Sequence, residues 1–443
     1  GLGVTSQRAS MICLDEAGIP LRPAILWLDV RKARAPYHPA LGMRVALGLI
    51  GMYEPMMLTQ EEAKCNWIMQ NEPEIWAKTY KYVEVSGYLT HRLTGSFNDS
   101  AASLIGHLPF DYKKQRWCRP GHRNARMFPV PLDKLPGIVR PGDEIGRVTQ
   151  TAHDETGIPA GIPLIAAGSD KGCETIGMGV TGTDKASLSF GTTATIQTTS
   201  PRYIEPLTFM PAYPAPMPGM FNPEVEIFRG YWMITWFKNQ FAYEEVREAE
   251  ARGIASEAML DELLRKTPAG GHGLVMQPYW TPMFKMPSAK GAIIGFGDVH
   301  DRAYLYRAII EGLAFGLKDG LHAMEKASGT KITELAVSGG ASQSDEICRI
   351  TADIFNLPLV RGATFESSGL GAAMVIAAGL GLYPSVETAI AAMAKRDRVF
   401  QPDPDRAALY HRLYTRVYKK MYKALAPLYE QIRTITGYPE RLQ

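Results

Sequence analysis

Between Glu334 and Gly379 the sequence runs strand, helix, strand, helix with little chain to spare, and that rhythm restricts the fold more than any other stretch. Glu334-Leu335-Ala336-Val337 reads as a strand, Ser338 to Ser342 as a turn and Gln343 to Asn356 as a helix. Leu357 to Val360 is then a second strand, and Glu366 to Gly379 a helix of small residues. Two strands joined through a helix are expected to pair in parallel, because a hairpin cannot join them that way. The fold class expected is therefore α/β. Upstream, Tyr304 to Lys326 has the apolar spacing of a long amphipathic helix, and Lys185 to Gln197 reads as two β runs around Gly191-Thr192-Thr193.

The chain has 443 residues, too many for one ordinary core, so two or three domains are expected. Hydrophobic residues make up 46% and charged residues 21%, the balance of a globular protein. A formal net charge of +3 leaves no electrostatic footprint for nucleic acid or a membrane surface. The longest apolar stretch, Ser368 to Tyr383, is broken by four glycines, Gly369, Gly371, Gly379 and Gly381, and is too short to span a bilayer. Cys13, Cys65, Cys118, Cys173 and Cys348 form no C-x-x-C pair, so reduced, buried thiols are expected. Gly1 to Thr5 has no basic start and no apolar core of a signal peptide, and a cytoplasmic enzyme is the expectation.

The N-terminal half is less regular. Residues from Gly1 to Gln7 are strand-like, Met11 to Leu14 and Ala24 to Leu28 read as further strands, and Glu61 to Gln70 and Glu84 to Leu93 as helices. Cys118 to Pro159 reads as an irregular connection, and proline-rich Pro201 to Pro223 as an excursion over the surface. Asp405 to Ile435 has the pattern of one amphipathic helix whose basic face is solvated.

Asp170 is the first candidate for chemistry. It ends the apolar run Pro163 to Ala167 through a Gly168-Ser169 turn, and ligands of open α/β sheets bind beyond the carboxyl ends of strands. Asp is also a favoured N-cap, so Lys171 onward can open a helix. Gly177-Met178-Gly179-Val180-Thr181-Gly182 matches G-x-G-x-x-G but leads from helix into β run, the reverse of the dinucleotide context. Two other turns suit phosphate better. Gly191-Thr192-Thr193 offers backbone N–H groups and two hydroxyls on a hairpin, and Ser338-Gly339-Gly340-Ala341 lets a ligand approach bare backbone before a helix N-terminus.

Taken in order, these landmarks resemble the FGGY carbohydrate kinases, the family of glycerol kinase, xylulokinase and ribulokinase. The resemblance is carried by Gly3 to Arg8, Trp27 to Arg31, Gly87 to Gly95, Gly168-Ser169-Asp170 and Ser189 to Thr193. Arg307 to Gly312, Ser338 to Ala341, Glu366 to Ala373 and Gln401 to Pro404 extend it over essentially the whole chain. It implies two ribonuclease H-like domains of the actin/hexokinase type, residues 1–175 for sugar and 176–443 for nucleotide, with an interdomain cleft. It further implies ATP and magnesium (Mg2+), and a homodimer is common among such proteins.

By the same resemblance Asp170 is the expected general base. Gly191, Thr192 and Thr193 are expected at the phosphates, and Gly339, Gly340, Ala341 and Ser344, on the first turn of the next helix, at the nucleoside. Gln7, Arg8 and Lys171 fall where the family contacts substrate; Trp27 can form an apolar wall, and Asp29 with Arg31 a structural ion pair. Members of the family open on a strand hairpin with Asp-x-Gly-Thr, which contacts phosphate and metal. No such motif precedes Gly3 here, so the first domain is expected to be N-terminally incomplete, with exposed sheet edges, and the metal ligand is unassigned. Ala9-Ser10 after Arg8 departs from the Gln-Arg-Glu of glycerol kinases, and Gln7-Arg8-Ala9 from the Gln-Met-His of xylulokinases, leaving a ketose, a pentitol or another polyol open. A non-catalytic nucleotide- or sugar-binding protein of the actin-like class is the alternative.

Overall fold

The computed structural model of the protein describes residues 1–208, 210–280, 286 and 288–438. A first, small sheet is built from Leu2–Gly3 (β1), Glu144–Arg147 (β2) and Pro163–Ile165 (β3), in the order β1-β3-β2. β1 runs parallel to β3, β2 antiparallel to it, and a further parallel bridge joins Ser6 to Ser169. Residues 2–6 and 164–169 thus travel side by side to one end, where the chain turns into the helix Asp170–Gly177 (α1). Ser169, rather than Asp170, caps this helix, its hydroxyl accepting from the Gly172 N–H. Asp170 takes the first helical position, where the helix dipole favours an ionised carboxylate.

The second sheet has six strands. Lys185–Phe190 (β4), Ala194–Gln197 (β5) and Glu224–Ile227 (β6) form an antiparallel meander. After the long helix Arg302–Ser328 (α2), Glu334–Ser338 (β7) returns parallel to β4. Asp345–Phe355 (α3) carries the chain to Leu359–Gly362 (β8), parallel to β7; Ser367–Gly379 (α4) follows, and Arg396–Phe400 (β9) closes the edge antiparallel. The order β6-β5-β4-β7-β8-β9 is a three-stranded meander with parallel strands added beside its first member, the ribonuclease H-like arrangement.

Alternation gives this sheet two unlike faces. Ala186, Leu188, Phe190, Ala194, Ile196, Val225, Ile227, Leu335 and Val337 point to one side, where they join Ile309, Leu313 and Leu317 of α2 in the main core. Ser187, Ser189, Thr195, Gln197, Glu224, Glu226 and Ser338 point to the other side, toward α1.

Helix α4 follows β8 in sequence yet lies against the first sheet, with Ile376 over Gly3 and Gly379 over Ile165. It meets α1 backbone to backbone. A Cβ on Gly371 would stand 1.9 Å from the Cys173 carbonyl oxygen, and one on Gly177 2.0 Å from that of Ser367. Gly371→Ala is therefore expected to force the helices apart and to lower stability by about 1–3 kcal/mol, the cost of overpacking. An unchanged thermal midpoint would refute this.

Several expectations change. In Ala24 to Leu28 only Ile25 is buried, bridging Met11, while Leu26 and Leu28 are exposed, so the run is a loop with one anchor. The helix expected over Glu61 to Gln70 is two, Tyr53–Glu61 and Lys64–Asn71, broken at Glu62-Ala63. Residues 118–159 contain helices Arg123–Met127 and Gln150–Thr156 and strands Gly137–Val139 and Glu144–Arg147, each too short to leave a periodic signature. The segment 201–223 is no surface excursion: Ala215 and Met217 are buried with Ile176 and Met374, and Pro216 packs on Gly168 and Gly172. Flat proline rings fit where glycines bare the backbone. The closing helix is interrupted by a π turn at Tyr414–Tyr418, which keeps Tyr410, Tyr414 and Tyr418 on Phe315 of α2. All five cysteines are buried free thiols. Among the described residues no helix is long and apolar enough to cross a membrane.

Candidate active site

Three hydrogen bonds fix Asp170. Its N–H donates to the Ser6 carbonyl at 2.9 Å, its Oδ1 accepts from the Lys171 N–H at 2.8 Å, and its own carbonyl accepts from the Ser368 hydroxyl at 3.0 Å. Oδ2 has no protein partner among the described residues. Burial raises the pKa of this carboxyl, and the charges of Arg8 and Lys171 oppose the rise.

Lys171 ties α1 to the polar sheet face. Its ammonium donates to Ser189 of β4 at 2.6 Å and to Glu174 at 2.8 Å, and Glu174 accepts from Ser338 of β7. Ser189 and Ser338 are register partners in parallel strands, so the turns that follow, Gly191 to Thr193 and Gly339 to Ala341, emerge at the same end. These turns touch. Gly339 sits at φ +89° with its α-carbon so close to β4 that a Cβ would lie 2.8 Å from the Phe190 carbonyl carbon, whereas nothing lies within 4 Å of a Cβ on Gly340. The Gly191 carbonyl is held by the Tyr231 N–H at 3.0 Å and Thr193 donates to the Phe228 carbonyl at 3.3 Å, leaving Thr192 exposed at the tip. Ser344 is the N-cap of α3, one position before its first turn, accepting from Ile347 N–H at 3.1 Å and donating to Asp261.

On the substrate side, Ser6, whose carbonyl holds the Asp170 N–H, leads into Gln7 and Arg8. Gln7 donates to the Ser10 hydroxyl oxygen at 3.0 Å, and the Trp27 N–H donates to the same oxygen at 3.1 Å. Trp27 is 38% exposed. Arg8 is already engaged: its two terminal nitrogens reach the two Glu224 oxygens at 2.6 and 3.0 Å, and its guanidinium lies over Tyr213, 5.4 Å from the ring centroid. Asp29 and Arg31 form the expected ion pair at 2.7 Å, with Arg31 stacked on Trp67 away from this group.

Sequence reading missed Glu174, Tyr213, Glu224 and Glu226, and it named Ser189 and Ser338 only as parts of motifs. The available signal was the Ser/Thr/Gln/Glu set at every second position of β4, β5 and β6, polar where a buried sheet face is usually apolar. Glu226 is pushed up to about 7 by burial first and the neighbouring Glu224 carboxylate second. Its ordinary value is 4.5, so between 4.5 and about 7 the folded protein holds more protons than the unfolded chain, and stability falls as pH rises through that window. Glu226→Gln removes this term: the variant's gain in melting temperature over wild type is expected to be larger at pH 8 than at pH 5. An equal gain at both would contradict it.

Residues 1–177 match the N-terminal domain, and residues 186–380 the C-terminal domain, of the FGGY family of carbohydrate kinases. The chain belongs to that family. An Escherichia coli K12 sugar kinase, YgcE, is 30% identical over 413 residues, covering 93% of this chain and 76% of that protein. A Lactococcus lactis xylulose kinase is 27% identical over 426 residues, covering 93% of this chain and 80% of its own length. Among solved structures, gluconate kinase from Lactobacillus acidophilus superposes with a TM-score of 0.79 at 24% identity, covering 96% of this chain and 84% of that one. Glycerol kinase from Plasmodium falciparum, solved with ADP, gives 0.72 at 17% identity, covering 94% of this chain and 83% of that one. This FGGY protein is a carbohydrate kinase with the actin/hexokinase-type fold, and its chemistry is phosphorylation of a sugar by ATP.

Magnesium accompanies ATP in such enzymes. Among the described residues no group of three or more His, Cys, Asp or Glu side chains is disposed to hold a metal.

Proposed function

We propose that this kinase transfers the γ-phosphoryl group of ATP to a hydroxyl of a small ketose, pentitol or related polyol, with Asp170 as the general base. The observation that carries the reading is convergence: the Gly191 and Gly339 turns leave the same end of two parallel strands, Lys171 beside Asp170 reaches Ser189 at that end, and Asp170 is bonded to Ser6, which leads into Gln7 and Arg8. In the transfer, Asp170 takes the proton of the attacking hydroxyl as its oxygen bonds to the γ-phosphorus, and the bond from that phosphorus to the bridging oxygen breaks to release ADP. Phosphoryl transfer asks little of a protein beyond alignment, charge neutralisation and a proton acceptor within hydrogen-bond reach.

Gly191, Thr192 and Thr193 offer N–H groups and hydroxyls to the phosphates, and Gly339, Gly340 and Ala341 a bare backbone floor to the nucleoside, with Ser344 at the adjoining helix cap. Magnesium, bound with ATP, would neutralise phosphate charge during transfer. Residues 1–175 would serve the sugar and 176–443 the nucleotide. A cytoplasmic setting suits the five free thiols and the use of ATP. The test is ADP release across pentitols, hexitols and 2-ketoses with full-length protein: at least one is expected to give saturable turnover, and none doing so rejects the reading.

A further inference from the structure

We propose that Glu224 and Glu226 are specificity-determining residues that make the acceptor site a charge filter, admitting uncharged polyols or ketoses and turning away sugar acids. This rests on the acceptor site lying beside Asp170, as proposed above, and adds the residues that decide what enters it. Glu224 and Glu226 project from β6 onto the polar face, in register with Gln197 and Thr195 of β5; the row Glu226, Thr195, Ser189 ends at the Lys171 ammonium. Asp170 and Glu174 lie on α1, which meets the same face where Lys171 reaches Ser189 of β4 and Glu174 accepts from Ser338 of β7. Four carboxyl groups, of which Glu226 is only partly ionised near neutral pH, thus face two cations, and both cations are spoken for. Arg8 gives both terminal nitrogens to Glu224, with side chains only 16% and 2% exposed, while Lys171 is bound to Glu174 and Ser189.

A carboxylate on an incoming sugar acid therefore finds no unpaired guanidinium or ammonium here, and must be desolvated next to like charges. A neutral acceptor meets different conditions. Glu226 accepts no hydrogen bond from the described residues and is half-buried, so it presents acceptor oxygens to sugar hydroxyls, which are donors. Glu224 acts indirectly, as the group that keeps Arg8 committed. The likeness to gluconate kinase bears on the fold, and this arrangement predicts a different acceptor.

The test compares D-gluconate with D-glucitol, its uncharged counterpart of equal length, and with the best neutral acceptor of the panel, by calorimetric binding and by ADP release. In wild type the best neutral acceptor is expected to bind measurably and to exceed gluconate in kcat/KM by at least about a hundredfold. Glu224→Gln, which frees Arg8, is expected to raise the gluconate-to-neutral ratio by about tenfold or more. Glu226→Gln should weaken the neutral acceptor without admitting gluconate. Gluconate as the preferred acceptor overturns the filter and leaves the kinase reading standing. Selective binding of neutral polyols without any ADP release does the reverse. Should Glu224→Gln fail to fold, the wild-type comparison and Glu226→Gln decide, and a ratio unmoved in a folded Glu224→Gln overturns the role of Glu224.

Discussion

Asp170→Asn is expected to cut kcat by about a hundredfold or more while sugar and nucleotide still bind. The substitution is nearly isosteric and keeps an oxygen for the Lys171 N–H, so the start of α1 has no reason to rearrange. What disappears is the acceptor for the proton of the attacking hydroxyl. Because burial raises the pKa of Asp170, the acid limb of the wild-type kcat/KM profile should fall above the ordinary carboxylate range, with activity rising as the base ionises. That limb should be absent from the variant. Turnover close to wild type, or an acid limb that persists unchanged, would remove Asp170 from the mechanism.

Arg8→Ala should be the most destabilising single change near the site. It strips the bidentate partner from Glu224, whose side chain is 2% exposed, and leaves that carboxylate buried beside Glu226. Breaking a buried pair from one side costs about 3–5 kcal/mol, most of it the stranded charge. Adding Glu224→Gln to Arg8→Ala is therefore expected to recover much of the loss, which a double-mutant cycle on chemical or thermal unfolding measures. The direction with pH follows from Glu224. Arg8 holds its pKa below the ordinary value, so the pair's contribution is present above about 4.5 and is lost as pH falls through the lowered value. A single variant as stable as wild type at pH 7 would show that the contact contributes little.

The C-terminal half was legible because its elements are long and their periods agree with their tertiary roles. The strand at Glu334, the helix at Asp345 and the hairpin around Gly191 lie within two residues of where the sequence puts them. In the N-terminal half, strands of two to four residues cannot display a period, and Ala24 to Leu28 shows that an apolar run can stay outside. Proline content misled at 201–223, where rings that look like loop punctuation pack onto glycines under Asp170. For the site, the turns announced themselves through glycine and hydroxyl chemistry. Glu224 did not, since its partner Arg8 is 216 residues away and no local pattern encodes that distance.

The two-faced sheet also guards the enzyme against a folded but miswired form. Sliding β6 by one residue along β5 would exchange Val225 and Ile227 for Glu224 and Glu226 on the side packed against α2. Two carboxyl groups would enter an oily interior, and two branched aliphatics would take their place on the polar face toward α1. Misregistered molecules would thus be unstable as well as inactive. For this strand, proofreading of the polar face comes with the formation of the core.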